Sequence, residues 1–451
     1  MKDQAAPGDV PAASAPQRLS TRETAERLGV KPETVYAYVS RGQLSSTRAP
    51  DGRGSTFDAA EVDALARRTG RREPSPATGD LVFRTGITLI EGDRYYFRGV
   101  DATELAGQYP YEEVAEWLWT GVLRPGIRFM APAEALSAAH RAVESLPAHS
   151  GSTDRLRVAA IAAATADPLR FDLSREAVLA GARSLIPTLV EALPLAAGGR
   201  SEGSEGVASQ GAADGTGAQL ARRLWPKLTT RPADEPSIAA LDTALTLLID
   251  HDLAASTLAA RVAASAHAHP YAVVSAGLGV LEGPLHGAAS GLAHRMLTEV
   301  LERGSAVPVV ADHLRSGRRV PGLGHRLYIS EDPRAQALFA LLADVPQAAR
   351  ALAAARDVVT TTARHAPLHA NVDLALAVLS VSSGMAADAG ETVFAVSRTA
   401  GWIAHALEEY GERPLRMRPS GQYTGPRPPQ PLPTATDVPP RSSYGPHSAQ
   451  R

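Results

Sequence analysis

The sequence predicts an all-α protein preceded by a small winged helix-turn-helix module. Three observations carry that expectation. Hydrophobic residues make up 44% of the chain but aromatics only 5%, so the core is built mostly from Ala, Leu and Val, which suits closely packed helices. From about residue 80 to 425, long apolar helical patterns alternate with short breaks. Residues 18–68 read as helix, glycine turn and helix, followed by a glycine-rich stretch and a further helix.

Bulk properties narrow the function classes. A chain of 451 residues suggests about two to four structural units. The formal net charge of -2 argues against nucleic-acid binding by the whole chain but leaves room for a small basic domain. There is no cysteine, which excludes disulfides, thiolate catalysis and Cys-ligated zinc. No metal site and no permanently bound cofactor are expected. No apolar run reaches about 18 residues, the length of a membrane span. Residues 1–17 lack the apolar segment of a signal peptide. A cytoplasmic location without membrane contact is the expectation.

Taken in order, residues 1–17 read as a disordered leader rich in Ala and Pro. Ser20 with Glu23 forms a capping box that opens the first helix. Gly29 stops it, and Pro32 starts a second helix carrying Thr34, Val35, Tyr36, Tyr38 and Val39. Asp51-Gly52-Arg53-Gly54-Ser55-Thr56-Phe57 is placed to form a wing, and a helix from about Asp58 to Arg68 closes the module. Residues 69–80 read as a polar, Pro-containing linker. In the body at 81–425, Ile87-Thr88-Leu89-Ile90 and Tyr95-Tyr96-Phe97 flank Glu91-Gly92-Asp93, the pattern of a β-hairpin. Residues 198–217 are a flexible Gly/Ser/Ala/Glu insertion, and 426–451 a disordered Pro-rich tail.

The N-terminal module resembles the winged helix-turn-helix domains of MerR and excisionase type. From Arg18 to Arg72 there are eleven Lys/Arg and seven Asp/Glu, a net charge of +4. The resemblance implies that the second helix enters the major groove. Lys31, Thr34, Tyr36 and Arg41 would then lie near DNA, with Arg48 and Arg53 near phosphates. The alternative is a helical adaptor that docks on the body or on a partner.

Three short segments hold most of the chemistry. They are Gly283-Pro284-Leu285-His286-Gly287, Pro321-Gly322-Leu323-Gly324-His325-Arg326-Leu327-Tyr328 and Asn371-Val372-Asp373. Asp332-Pro333-Arg334 and Phe394-Ala395-Val396-Ser397-Arg398 add two arginines. Two His, one Asp and several Arg can hold a dicarboxylate, polarise a carbonyl and remove a proton from carbon. Each residue alone has a plainer reading. His286 could cap a helix. Asp373 could be a helix N-cap or a partly desolvated base with a raised pKa. Arg334 and Arg398 could form surface ion pairs.

Order and company change this. The Gly-Pro-Leu-His-Gly turn, Gly-x-Gly-His leading to Asp-Pro-Arg, Asn-Val-Asp and Phe-x-x-x-Arg occur in sequence, with nine positions from His325 to Arg334 and 25 from Asp373 to Arg398. This set resembles the citrate synthase family, with coverage of about residues 80–425. Further matches are Arg98-Gly99-Val100-Asp101, Asp250-His251-Asp252, Gly401-Trp402-Ile403-Ala404-His405 and Met417-Arg418-Pro419. The resemblance implies a large helical domain and a smaller one, about 287–372, that closes over the substrates. It implies condensation of acetyl-CoA, the co-substrate, with oxaloacetate to citrate and coenzyme A. Asp373 would take the methyl proton, His286 would stabilise the enol or enolate, and His325 would polarise the ketone and protonate the new alkoxide. His251, Arg334 and Arg398 would hold oxaloacetate, with Arg418 from the neighbouring subunit and Phe394 packed beside the reacting carbons. Leu323, Gly324 and Arg326 would approach coenzyme A. A homodimer or larger homo-oligomer follows from the shared Arg418.

The chain departs from the family pattern at Ala288, which replaces a glycine, at Leu253-Ala254 after the Asp-His-Asp segment, and at Ser420, which replaces an arginine. Three readings follow: a citrate synthase, a 2-methylcitrate synthase using propionyl-CoA, and a transcriptional regulator that keeps the fold as a metabolite sensor.

Overall fold

In a computed structural model, the structure describes residues 18–28, 30–40, 42–48, 54–68, 83–196, 218–283, 286–417, 424–427 and 430. The leader, the linker, the 198–217 insertion and most of the tail lie outside these residues, as do Arg41, Arg53 and Arg418. The chain divides into two compact units, Met1–Arg84 and Thr85–Arg451.

In the first unit the Ser20–Glu23 box forms as expected. The Ser20 N–H donates to Glu23 at 2.7 Å and the Glu23 N–H donates to Ser20 Oγ at 3.3 Å. It opens α1 (Thr21–Leu28), and α2 (Pro32–Ser40) begins on its proline. β2 (Ser46–Arg48) precedes the expected wing and β3 (Ser55–Asp58) covers its end, residues 51–53 lying outside the described ones, and Asp58 caps α3 (Ala59–Arg68) through the Ala60 N–H at 2.9 Å. A strand that the sequence does not announce, β1 (Arg18–Ser20), pairs antiparallel with β3, giving the sheet order β1-β3-β2. Leu19, Leu28, Val35, Phe57, Val62 and Leu65 form the core. Arg27 donates to both oxygens of Asp63 and ties α1 to α3.

The second unit opens on the expected hairpin, β4 (Thr88–Glu91) and β5 (Arg94–Phe97), to which β6 (Val100–Asp101) adds a third antiparallel strand. Gly92 and Asp93 both have φ of 58°, which identifies a two-residue type I′ turn. Everything after it among the described residues is helical or loop. Asp101 caps α4 (Ala102–Gln108), which is followed by α5 (Tyr111–Thr120), α6 (Ala133–Glu144), α7 (Ser152–Thr165) and α8 (Arg175–Ala192). Next come α9 (Leu220–Leu228), α10 (Glu235–Leu247), α11 (Ala255–Ser265), α12 (Pro270–Leu281), α13 (Ala289–Arg303) and α14 (Ala306–Arg315). The last four are α15 (Pro333–Leu342), α16 (Ala349–Ala363), α17 (Val372–Ser382) and α18 (Ala389–Tyr410). The all-α expectation therefore holds, with one small sheet at the start of each unit.

The centre of this unit is α18, buried along most of its 22 residues. Small residues let its neighbours approach closely. A Cβ on Gly277 of α12 would stand 2.6 Å from the Trp402 ring, and one on Gly401 would collide with the Ile249 carbonyl oxygen. The second contact presses the segment after α10 against α18 and so positions Asp250 and His251. Among the described residues no single helix is long and apolar enough to cross a membrane.

Candidate active site

Five segments converge on the site. The first follows α10. Asp250 is fully buried and accepts hydrogen bonds from Thr88 Oγ1 at 2.6 Å and from His405 Nε2 at 3.2 Å. The Arg261 guanidinium donates to His405 Nδ1 at 2.8 Å, so the His405 proton sits on Nε2, facing Asp250. Burial disfavours the Asp250 charge, but His405, Arg398 and Thr88 outweigh it and hold the pKa below its ordinary value. His251, next along the chain, has its Nε2 2.6 Å from the Tyr328 hydroxyl. Burial, then the charges of Arg334 and Arg398, push its pKa well below normal and keep it neutral.

The second segment carries His325 and Tyr328. Gly322 has φ of 77°, and a Cβ there would come within 2.7 Å of Leu374 Cβ, so glycine is needed both for the turn and for the close approach to α17. His325 Nδ1 accepts the Leu327 N–H at 3.1 Å. Its pKa falls to about 4, chiefly through burial and then through Arg334. A neutral ring accepting at Nδ1 carries its proton on Nε2. The His325 ring lies 5.1 Å from that of His251 and 4.8 Å from that of Tyr328.

Asp332 and Arg334 form the third segment. Asp332 caps α15, Pro333 occupies the first helical position, and Arg334 follows. The Arg334 Nε and Nη2 donate to the two Asp332 oxygens at 2.9 and 2.8 Å. The same carboxylate accepts the Val372 N–H at 3.0 Å, fastening α15 to the start of α17. Both side chains are almost fully buried, which rules out the surface ion pair considered for Arg334.

The fourth segment is the start of α17. Its N-cap is Asn371, whose Oδ1 accepts the Asp373 N–H at 3.0 Å. Asp373 is therefore not the N-cap, since it lies inside the first turn. Asn371 also reaches back to the glycine loop, its amide N–H to the Gly322 carbonyl at 3.0 Å and its side chain to the Gly324 carbonyl at 2.9 Å. Burial pushes the Asp373 carboxyl up to about 6, against the pull of Arg334 and with the help of Asp332.

The fifth segment pairs the turn before α13 with α18. His286 Nε2 lies 2.8 Å from Ser256 Oγ at the start of α11. Its ring centroid is 6.1 Å from that of Phe394, over which the Arg398 guanidinium stands at 4.4 Å. Burial and then Arg398 lower the His286 pKa. Arg398 is 1% exposed and donates from Nε to the Leu248 carbonyl at 2.8 Å, so it too is no surface ion pair.

His251, His286, His325, Arg334, Asp373, Phe394 and Arg398 are thus linked through direct contacts or close electrostatic coupling. Leu323 bridges to Ala370 beside Gly324, and Arg326 is exposed. Sequence reasoning gave no role to Tyr328, Ser256 or Asp332. For Asp332 a signal existed, because Asp before Pro reads as an N-cap. Tyr328 and Ser256 meet their partners across 77 and 30 positions, and no local pattern reveals that.

Comparison with known proteins identifies the family. The citrate synthase C-terminal domain model matches residues 77–420, and a helix-turn-helix domain model matches residues 18–70. A citrate synthase of Haloferax volcanii is 32% identical over 77% of this chain and 94% of its own length. Citrate synthase 2 of Bacillus subtilis is 37% identical over 44% of this chain, and that match spans 55% of the Bacillus protein. Among solved structures, citrate synthase from Thermotoga maritima superposes with a TM-score of 0.59 at 26% identity, covering 80% of this chain and 98% of that one. The ternary complex of citrate synthase from Thermoplasma acidophilum with carboxymethyl coenzyme A and oxaloacetate shares the fold, with a TM-score of 0.62 at 22% identity over 80% and 97% of the two chains. The chain belongs to the citrate synthase family, whose members are enzymes that condense acetyl-CoA with oxaloacetate.

Proposed function

We propose that this chain condenses acetyl-CoA with oxaloacetate, releasing citrate and coenzyme A. The observation that carries this reading is Asp373, a carboxyl pushed up to about 6 at the edge of a site lined by neutral histidines and buried arginines. A base with a pKa near the working pH suits removal of a proton from carbon. In this reading Asp373 takes the acetyl methyl proton while the neutral His286 ring donates to the thioester oxygen. One such donor contributes about 3 kcal/mol to the developing enolate. His325 Nε2–H polarises the oxaloacetate ketone and then protonates the alkoxide. His251, Arg334 and Arg398 hold the carboxylates, Phe394 packs beside the reacting carbons, and hydrolysis of the citryl thioester drives the reaction forward. Leu323, Gly324 and Arg326 approach the coenzyme. A small domain, about 287–372, closes over the substrates with His286 and Asp373 at its edges. A cytoplasmic homodimer, in which Arg418 serves the partner's site, completes the proposal.

The test is release of coenzyme A thiol, read with a thiol reagent. The chain has no cysteine and adds no background. Oxaloacetate-dependent release from acetyl-CoA supports the reading, and parallel assays with propionyl-CoA measure the acyl preference. No release from either acyl-CoA, in a folded protein that still binds oxaloacetate, would favour the sensor reading.

The helix-turn-helix match favours a second activity beside the first. DNA binding by residues 18–68 would use Lys31 and Tyr36, both exposed, half-exposed Thr34 and the exposed Arg48, with Arg41 and Arg53 added by the sequence pattern. Two such heads in a dimer would bind more tightly than one. Retention of duplex DNA that weakens steeply with salt, and weakens further in Lys31→Ala, supports it. Salt-insensitive or absent retention returns the module to the adaptor reading.

A further inference from the structure

Asp93 sits at the second position of the type I′ turn, with φ of 58°. That position favours glycine, and a side chain there costs backbone energy. The side chain is in use. Its Oδ1 accepts the Ile329 N–H at 2.6 Å, and its Oδ2 accepts the Ser330 N–H at 3.2 Å and the Ser330 hydroxyl at 2.7 Å. These three bonds cross 236 or 237 positions and join the hairpin tip to the residues just after Tyr328.

Beyond the buried Tyr328, the joined residues are lightly packed. Ile329 is 95% exposed, so its own side chain supplies no packing. Tyr328 is 4% exposed and lies 2.6 Å from His251 Nε2. The same hairpin also holds the segment that carries His251, through Thr88 at its open end to Asp250 at 2.6 Å and through the Tyr95 hydroxyl to the Leu247 carbonyl at 3.2 Å. One hairpin thus grips both segments that bring His251 and His325 together.

We propose that Asp93 is a positioning residue for oxaloacetate, a clasp that keeps the 325–330 segment, and with it Tyr328 against His251, in the binding arrangement before substrate arrives; this rests on the condensation reading above. Without the clasp the segment spends part of its time elsewhere, and apparent affinity falls by the fraction of competent molecules. Once oxaloacetate is bound, it orders the segment itself, so turnover is spared.

The test compares Asp93→Gly, Asp93→Asn and Ser330→Ala with the full-length wild type. Asp93→Gly removes the carboxylate while easing the backbone. It is expected to raise the KM for oxaloacetate about tenfold, with kcat within about twofold and the KM for acetyl-CoA unchanged. Asp93→Asn tolerates the same φ and keeps one acceptor oxygen, so it should recover part of the loss. Ser330→Ala should shift KM in the same direction by less. Hydrogen exchange of residues 327–331, followed by mass spectrometry, should show protection in the wild type that Asp93→Gly removes at an unchanged melting temperature. Unchanged exchange in Asp93→Gly, or a fall in kcat at constant KM, overturns the proposal. Should Asp93→Gly fail to fold, an unchanged KM in Ser330→Ala overturns it too. If the wild type releases no coenzyme A, the condensation reading fails, and the exchange measurement still decides whether the clasp exists.

Discussion

Two buried arginines stand near the site and are held in opposite ways. Arg334 is clamped by both oxygens of Asp332, and the pair raises its pKa despite burial. Arg398 rests on a backbone carbonyl and a phenyl ring. Burial draws its pKa down to about 10, with Asp250 supporting the charge. Both are cations at neutral pH, yet one is bonded to a buried carboxylate and the other to a backbone carbonyl. A buried pair tolerates the loss of neither member, whereas removing an arginine bonded to a carbonyl strands no bonded carboxylate.

Four measurements sharpen or break that contrast. The largest effect is expected outside the arginine pair. Asp373→Ala should lower turnover about a thousandfold while calorimetry finds oxaloacetate binding intact. Equal loss of binding and turnover would move Asp373 from proton transfer to substrate retention. Next, Arg334→Ala leaves Asp332 buried and unpaired and should lower the unfolding free energy by about 3–5 kcal/mol, read from denaturant titration without ligand. Arg398→Ala should lower that midpoint by less and weaken oxaloacetate binding about a hundredfold, the size of a lost charge-assisted contact. Equal destabilisation by the two variants would erase the distinction.

The smallest effect is on pH dependence. The Asp373 carboxyl must ionise to act as the base, so kcat/KM should climb as pH rises through about 6. Stability should move the other way. A carboxyl raised from 3.8 to about 6 contributes stability that is fully present below 3.8 and lost as pH rises through about 6. Asp373→Asn should therefore match the wild type in denaturant titrations near pH 4 and exceed it at pH 7. A wild type as stable as this variant at pH 7 would show that the carboxyl titrates normally.

The sequence makes some of this legible and hides the rest for physical reasons. Motifs whose meaning is local read well, such as the Ser20–Glu23 box, the proline start of α2, and a hairpin placed within one residue of β4 and β5. The strands β1 and β6, of three and two residues, are too short to show a period and exist through pairing with partners elsewhere. Asn371, not Asp373, caps α17, and Asn is among the strongest cap residues. The site residues announced themselves by company and spacing. The groups that orient them, Ser256, Asp332, Tyr328 and Thr88, act through contacts that sequence order does not display.

The exposed Ile329 has a practical consequence. It lies beside a tyrosine that touches His251 and His325, yet it fills no packed volume, and the chain contains no thiol. Ile329→Cys would create a single labelling site one residue from Tyr328. A fluorophore there could follow arrival and departure of a ligand in real time, with no other position reacting.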